Sequence, residues 1–210
     1  MKQFLLSVVL LFAGSAVTPG RPANRSPQQD SLEAIQRWMS QQPGTQGGLI
    51  LPVSDASVVQ ALPSEHFYAL RYPRYPVARV LPEDLSYSNL LVVHADGNVA
   101  RLADANALES LFRSRLIRIT NGRLALQAVR AWLRLTQEFH QDGFFEFQKP
   151  SGKLNSRVKS RGIIASGSTT LVENGGNKGE IAVVLRFDPN GKLLSAVEMV
   201  NVISGRRPNS

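Results

Sequence analysis

The longest periodic pattern in the chain runs from about Arg123 to His140, where apolar and polar residues recur with the spacing of an α-helix. The apolar side consists of Leu124, Ala128, Ala131, Trp132, Leu135 and Phe139. The opposite side consists of Arg123, Gln127, Arg130, Arg134, Gln137 and Gln141. This pattern predicts an amphipathic helix with one face in a core and the other in water.

Short extended patterns follow this helix. The segment FFEFQ at 144–148 predicts the start of a strand, and residues 149–162 read as a basic loop. Three further strands are expected at 163–172, 180–187 and 192–202, joined by glycine-containing turns. The predicted fold class is therefore α+β, with an antiparallel sheet packed on the helix at about 123–140.

The N-terminal part predicts a smaller arrangement of helices and a hairpin. A helix is expected at 31–41, with Asp30 as its cap and Glu33 completing a capping box, and a short strand at 48–53. Residues 89–102 predict a hairpin that turns at Gly97. A second helix is expected after Asp104, with an apolar face of Leu108, Leu111, Phe112 and Leu116.

Residues 66–80 have an extended, aromatic-rich pattern interrupted by Pro73 and Pro76. Proline cannot donate a hydrogen bond to a neighbouring strand. We therefore expect this segment to be a strand at a sheet edge, or part strand and part polyproline.

The first residues have the layout of a secretory signal peptide. Lys2 precedes an apolar run at 4–13, and small residues up to Ala16 favour cleavage there. The predicted organisation is a signal peptide at 1–16, a flexible linker at 17–29 and a disordered tail at 205–210. Between linker and tail, residues 30–204 form one α+β domain or two packed lobes, 30–120 and 121–204. The mature protein is expected to be periplasmic or secreted, with no transmembrane segment after cleavage.

The net charge and the cysteine content limit the classes of partner and of chemistry that are expected. The chain has 24 Lys and Arg against 16 Asp and Glu, a net charge of +8 that becomes +7 without residues 1–16. This excess favours acidic partners such as phosphate-bearing lipids, acidic polysaccharides or acidic proteins, whereas export removes the protein from nucleic acid. The chain contains no cysteine, which excludes thiol catalysis and cysteine-based metal sites.

Motifs for catalysis or cofactor binding are weak. The three histidines, His66, His94 and His140, lie in no HExxH or HxH pattern. Ser156 and Lys159 match SxxK, but no further motif of the serine enzymes that use it follows. The glycine-rich segment at 174–179 lacks P-loop spacing. No catalytic residue, metal or cofactor is therefore predicted.

Two candidate binding surfaces remain. The first is the tyrosine- and arginine-rich extended segment, because these residue types anchor many interfaces. The second is the basic loop, which suits phosphate or sulfate groups. The predicted binding residues are Arg71, Tyr72, Arg74, Tyr75, Lys153, Arg157, Lys159 and Arg161.

From Arg123 onward the chain resembles exported domains of the PepSY and cystatin-like kind. The resemblance consists of the long helix, FFEFQ and the terminal hairpin EIAVVLRFDPNGKLLSAVEM, within residues 123–203. It implies a binding or regulatory module. The cystatin inhibitory signature QVxVG is absent, so protease inhibition is not implied.

The sequence thus predicts an exported, non-enzymatic binding domain that contacts a protein or an anionic envelope component. One alternative is a hydrolase whose site is assembled from distant histidines and acidic residues. Another is a structural envelope protein. The pattern leaves the oligomeric state open.

Overall fold

The computed structural model describes residues 26–42, 47–71, 89–140, 154–159, 161–172 and 178–203. The predicted signal peptide, most of the linker, FFEFQ and the C-terminal tail lie outside these residues. Within them, the chain forms helices and two antiparallel sheets of four strands, so the predicted α+β class is confirmed. No helix among these residues is long and apolar enough to cross a bilayer.

The first sheet is built from the N-terminal half and has the strand order β1-β2-β3-β4. Its elements in chain order are α1 (Pro27–Gln41), β1 (Leu49–Pro52), α2 (Ala56–Ala61), β2 (His66–Arg71), β3 (Leu90–Val93) and β4 (Val99–Arg101). The predicted hairpin is confirmed, with Gly97 at a φ of 83° in its turn.

The second half contains two longer helices and the second sheet, with the order β5-β6-β7-β8. Its elements are α3 (Ala105–Arg115), α4 (Gly122–Thr136) with a terminal 3-10 turn (Gln137–His140), β5 (Leu154–Lys159), β6 (Gly162–Val172), β7 (Lys178–Phe187) and β8 (Leu193–Ile203). The three predicted closing strands correspond to β6, β7 and β8. Asp104 caps α3 as predicted, accepting a hydrogen bond from the Ala107 amide at 2.8 Å.

Helix α1 begins earlier than predicted. Ser26 is its cap and forms a reciprocal capping box with Gln29, whereas Asp30 lies in the first turn. Pro27 at the first helical position suits this start, because its fixed φ matches the helix and its missing N–H is not needed there. The prediction of an Asp30 cap and of a linker reaching residue 29 was wrong.

Two strand predictions are also corrected. Strand β2 pairs with both β1 and β3, so the described part of the 66–80 segment lies inside the sheet and not at its edge. The predicted basic loop at 149–162 contains a strand, because residues 154–159 pair with β6 from Leu154↔Gly167 to Lys159↔Gly162. The alternation of apolar and polar residues that would indicate a strand is weak here, because most residues of the segment LNSRVK are polar.

One continuous core joins the two sheets. It contains residues of α2, α3 and α4 together with the inward-facing side chains of both sheets. At its centre the rings of Phe112 and Trp132 pack edge to face, with centroids 5.1 Å apart. A smaller cluster lies between α1 and the other face of the first sheet, around Ile35, Tyr68 and Leu91.

Helix α4 is more enclosed than its pattern predicts. The expected core residues Ala128, Trp132 and Leu135 are buried, but so are Gln137 and Glu138. The cause is a second covering layer, since α2 packs on α4 while β5, β6 and β7 contact it as well. The prediction that the whole polar side of this helix faces water was wrong for its C-terminal end.

Candidate functional site

The structure places the predicted binding residues in two separate regions. Arg71 ends strand β2 of the first sheet, whereas Arg157, Lys159 and Arg161 lie on or directly after β5 of the second. The remaining four lie outside the described residues: Tyr72, Arg74, Tyr75 and Lys153. The sheets therefore do not bring Arg71 together with the basic residues of β5.

Arg71 belongs to an interior ion-pair network. Its guanidinium donates to Glu138 Oε2, and Arg134 Nη1 donates to Glu138 Oε1 at 2.5 Å. Glu138 itself is only 2% exposed. Two guanidinium groups thus compensate one buried carboxylate, and Arg71 links the first sheet to the end of α4.

The basic residues of β5 lie at one corner of the second sheet. The side chains of Arg157 and Lys159 both lie on the face of β5 that points away from α4, and Arg161 follows in the turn to β6. Arg157 is registered with Ile164, which is registered with Arg186 on β7. Arg157 and Arg186 therefore flank one residue, about 10 Å apart across two strand spacings. Sequence reasoning missed Arg186, because the pairing that places it beside Arg157 involves strands distant in the chain.

We call the side of the second sheet that points away from α4 its outer face, and define it by Arg157, Ile164, Val184, Arg186 and Val197. The basic residues Arg157, Lys159, Arg161 and Arg186 form its cationic corner. Beside this corner, the side chains of Val197 and Met199 on β8 are 51% and 53% exposed. Val197 and Met199 pair with Val184 and Ala182 on β7, so apolar residues of two neighbouring strands form a strip on this face. Since both β8 side chains remain more than half exposed, none of the described elements covers them.

A second region is a cleft of about 450 Å³ at the C-terminal end of α4. Its walls come from α2, α4, β5 and β6. Polar lining residues include Asp55, Arg130, Arg134, Gln137 and Thr169. Asp55 is the cap of α2, accepting from the Ser57 amide at 2.8 Å and from the Ser57 hydroxyl.

The carboxylate of Asp55 is held in its ionised form. Burial alone would raise its pKa, but the hydrogen bonds from Ser57, the positive charge of Arg134 and a bond from the Val58 amide together lower the pKa below its usual 3.8. The cleft therefore presents a fixed negative charge on the α2 side and two guanidinium groups on the α4 side.

A third feature is the pair formed by His94 and Glu65. The Nδ1 atom of His94 lies 2.6 Å from Glu65 Oε2, and the Glu65 side chain is fully buried. Arg115 Nε lies 3.6 Å from the other carboxylate oxygen. His66 and His94 line one cleft of about 480 Å³, but only His94 is bonded to the carboxylate. The side chain of His140 lies outside the description.

Among the described residues, no group of three or more His, Cys, Asp or Glu side chains is arranged to hold a metal ion. Comparison with protein-family models, with curated proteins and with solved structures gives no match for this chain. The geometry of these three regions is therefore the basis for a proposed function.

Proposed function

We propose that this protein is an exported, non-enzymatic binding domain that contacts an anionic envelope component through the outer face of its second sheet. The main support for this proposal is the cationic corner of that face. Arg157, Lys159, Arg161 and Arg186 are all exposed, and none of them has an acidic partner within the described part of the chain. Cations left without protein partners are available to an anionic ligand.

The neighbouring strip of Val197 and Met199 favours phosphate-bearing lipid over a soluble acidic polymer. Exposed aliphatic side chains next to cations match a surface that has phosphate groups outside and hydrocarbon beneath. Each basic residue near an anionic membrane contributes about 1 kcal/mol of binding, so several together give a measurable affinity.

Vesicle flotation tests this proposal. The purified protein is mixed with vesicles of phosphatidylcholine alone or with about 30% phosphatidylglycerol added, an anionic fraction that gives a surface potential of tens of millivolts. We expect flotation only with the anionic vesicles and its loss at high salt, because screening shortens the reach of exposed charges.

A pair of matched double variants locates the surface. Arg157→Glu with Lys159→Glu should abolish flotation, while Arg37→Glu with Arg123→Glu should keep at least part of it, although both change the net charge by the same amount. Arg37 and Arg123 are exposed on α1 and α4, away from the outer face. Equal loss in both variants, or binding to neutral vesicles, would contradict the proposal. Binding to an acidic polysaccharide or protein, without binding to anionic vesicles, would identify that polymer as the partner in place of lipid.

The hydrolase alternative depends on His94 and Glu65. A buried carboxylate bonded to Nδ1 orients a histidine so that its Nε2 can act as a base. If the protein is a hydrolase, His94→Gln should abolish turnover of ester or glycan substrates while the exposed His66→Gln retains it. Absence of turnover with the unsubstituted protein would leave the binding function as the better account. If neither a ligand nor turnover is found, the structural role gains support.

A further inference from the structure

We propose that a small cleft beside the turn between β7 and β8 binds a phosphate monoester group. The cleft has a volume of about 230 Å³ and lies against the C-terminal end of α3. Three cationic side chains line it: Arg113, Arg118 and Lys192. The cleft shares no lining residue with the outer face of the second sheet, and this proposal does not rest on the function proposed for that face.

Two backbone carbonyls hold the guanidinium groups on either side of Lys192. Arg118 Nη1 donates a hydrogen bond to the carbonyl oxygen of Asn190 at 3.2 Å. Arg113 Nη2 donates to the carbonyl oxygen of Leu194. These carbonyls belong to the residues two positions before and two positions after Lys192. The tertiary structure therefore brings the three cations together from two segments that lie far apart in the chain.

The turn that carries Lys192 is itself fixed in position. Asp188 Oδ1 accepts a hydrogen bond from the Lys192 amide at 2.8 Å, and the Ile119 amide donates to the Gly191 carbonyl at 3.0 Å. A Cβ atom at Gly191 would lie 2.7 Å from the backbone of Ile119, so the turn packs directly on the segment that contains Arg118. A site that is ordered before its ligand arrives loses less conformational entropy on binding.

Positive charge exceeds negative charge around this cleft. Glu109 pairs with Arg113 at 2.6 Å, and Asp188 lies in the turn, but neither carboxylate lines the cleft. Within the part of the chain that the structure describes, Arg118 and Lys192 take part in no ion pair. Even if both carboxylates are counted against the three cations, one positive charge remains. An anionic ligand would balance it.

The end of helix α3 does not account for this charge. Cations near the C-terminus of a helix complement its dipole, which explains Arg113. Arg118 and Lys192 lie outside α3, which ends at Arg115. Their placement at the cleft therefore needs another explanation, and a bound anion supplies one.

Hydrogen-bond donors remain unused on all three side chains. A guanidinium carries five N–H groups and an ammonium carries three. Among the described contacts, Arg118 uses Nη1 alone, and Arg113 uses Nε and Nη2 but not Nη1. The ammonium of Lys192 makes no hydrogen bond to a described residue. The cleft can therefore donate to an anion from three side chains.

This set of donors fits a phosphate monoester better than a carboxylate. A monoester presents three terminal oxygens and nearly two negative charges, whereas a carboxylate presents two oxygens and one charge. Arginine also recognises phosphate through paired N–H groups. The volume of about 230 Å³ lies below the roughly 300–1,000 Å³ of pockets for drug-sized molecules, so the cleft suits a single anionic group.

An NMR titration with glycerol 3-phosphate at low salt tests the site. We expect saturable shifts of the backbone amide resonances of Gly191 and Lys192, with a dissociation constant on the order of 1 mM, because the donors are accessible to solvent. Acetate, a carboxylate, and dimethyl phosphate, a diester, should bind at least about fivefold more weakly. High salt should abolish the shifts, because it screens exposed charges.

Two positions locate the binding. Lys192→Gln removes an ammonium that makes no described contact, so it should weaken glycerol 3-phosphate binding about threefold to tenfold while the melting temperature stays the same. Arg118→Gln should weaken it about tenfold, whereas Arg118→Lys keeps the charge and should retain most of the affinity. The control Arg123→Gln removes an exposed arginine that does not line the cleft, and should leave the affinity within about twofold.

Vesicles distinguish a soluble ligand from a lipid headgroup. Flotation is measured with vesicles that contain phosphatidic acid, whose phosphate is a monoester, or phosphatidylglycerol, whose phosphate is a diester, at matched surface potential. Stronger flotation with phosphatidic acid, reduced by Lys192→Gln, would identify the ligand as a lipid phosphate. Equal flotation with both lipids, together with binding of glycerol 3-phosphate, would identify it as a soluble monoester.

The proposal is overturned if glycerol 3-phosphate causes no saturable shift, or if acetate binds as tightly. It is also overturned if Lys192→Gln and Arg118→Gln both bind like the unsubstituted protein, or if Arg123→Gln weakens binding as much as they do. Failure of the outer-face function is distinguishable, because glycerol 3-phosphate binding is measured without vesicles. A protein that binds this probe but floats with no vesicle would retain the cleft site and lose the outer-face function.

Discussion

The indole Nε1 of Trp132 donates a hydrogen bond to Glu198 Oε2 at 2.5 Å, which joins the middle of α4 to the edge strand β8. Trp132 is 1% exposed. Glu198 lies on the side of β8 that faces the core, whereas its neighbours in the strand, Val197 and Met199, are exposed. This hydrogen bond helps to hold an acidic side chain against the protein interior. This arrangement makes the stability of the fold sensitive to pH.

The first prediction concerns Glu198→Gln. Burial raises the pKa of Glu198 above its usual 4.5, although hydrogen bonds from Trp132 and Thr136 act in the opposite direction. The protonated acid therefore favours folding, and its contribution is complete below pH 4.5 and lost as the pH rises through the folded-state pKa. The glutamine stays neutral and can still accept the indole hydrogen bond. We expect the variant to be more stable at pH 7, on the order of 1 kcal/mol, with the difference vanishing in acid.

Urea unfolding between pH 3 and pH 8 measures this effect. Glu180→Gln, on the exposed side of β7, is the control and should leave the shape of the pH profile unchanged. A loss of stability in Glu198→Gln at pH 7 would mean that the charged carboxylate is better accommodated than its burial suggests.

The second prediction compares two acidic residues that both bind arginine. Glu138→Gln leaves Arg71 and Arg134 without their buried counter-charge, so we expect a loss of about 3 kcal/mol in the free energy of unfolding. Glu109 forms a similar pair with Arg113 at 2.6 Å, but on an exposed surface. Glu109→Gln should cost no more than about 0.5 kcal/mol. Equal costs in denaturant unfolding would show that the Glu138 network is not an interior one.

The third prediction uses two glycines with nearly the same backbone and different surroundings. Gly97 and Gly191 have φ values of 83° and 78°. A Cβ atom at Gly97 would meet nothing within 4 Å, whereas one at Gly191 would lie 2.7 Å from the backbone of Ile119. Gly97→Ala should therefore cost about 1–2 kcal/mol, the strain of the left-handed conformation alone.

Gly191→Ala should cost more, about 3 kcal/mol or above, because the clash with a neighbouring backbone adds to that strain. It should also disturb the hydrogen bond from the Ile119 amide to the Gly191 carbonyl, which is 3.0 Å long. Chemical denaturation of both variants gives the comparison directly. Similar costs for the two would indicate that the segment around Ile119 can move aside.

Several elements could be predicted from the sequence because their signals are local. The pattern after Asn121 predicts α4, and the turn residues before Gly97 and Gly191 predict the two hairpins that the structure shows. Helix α2 was missed because six residues are too few to show a helical period. The sequence does not indicate strand β5, because Ser156 interrupts the apolar face that Leu154 and Val158 share, and the other face is entirely polar.

The candidate sites were less predictable. The sequence predicts Arg157, Lys159 and Arg161 as binding residues from their charge alone. The structure shows that all three are exposed and adds Arg186 from another strand. The pattern places Gln137 on a solvent face, whereas the structure places it in a cleft at 7% exposure. No local signal marks such a residue, because its burial depends on α2 and β6 packing over it.

By itself, the sequence determined the class of fold, the long amphipathic helix, the turns and the basic character of the chain. These follow from the spacing of apolar residues and from turn chemistry, which act over a few positions. The tertiary structure alone decided that β2 is an inner strand, that Glu198 meets Trp132, and that Gln137 and Thr169 share a cleft. Those contacts join residues far apart in the chain, and such pairings are selected by the burial of the whole core rather than by any local pattern.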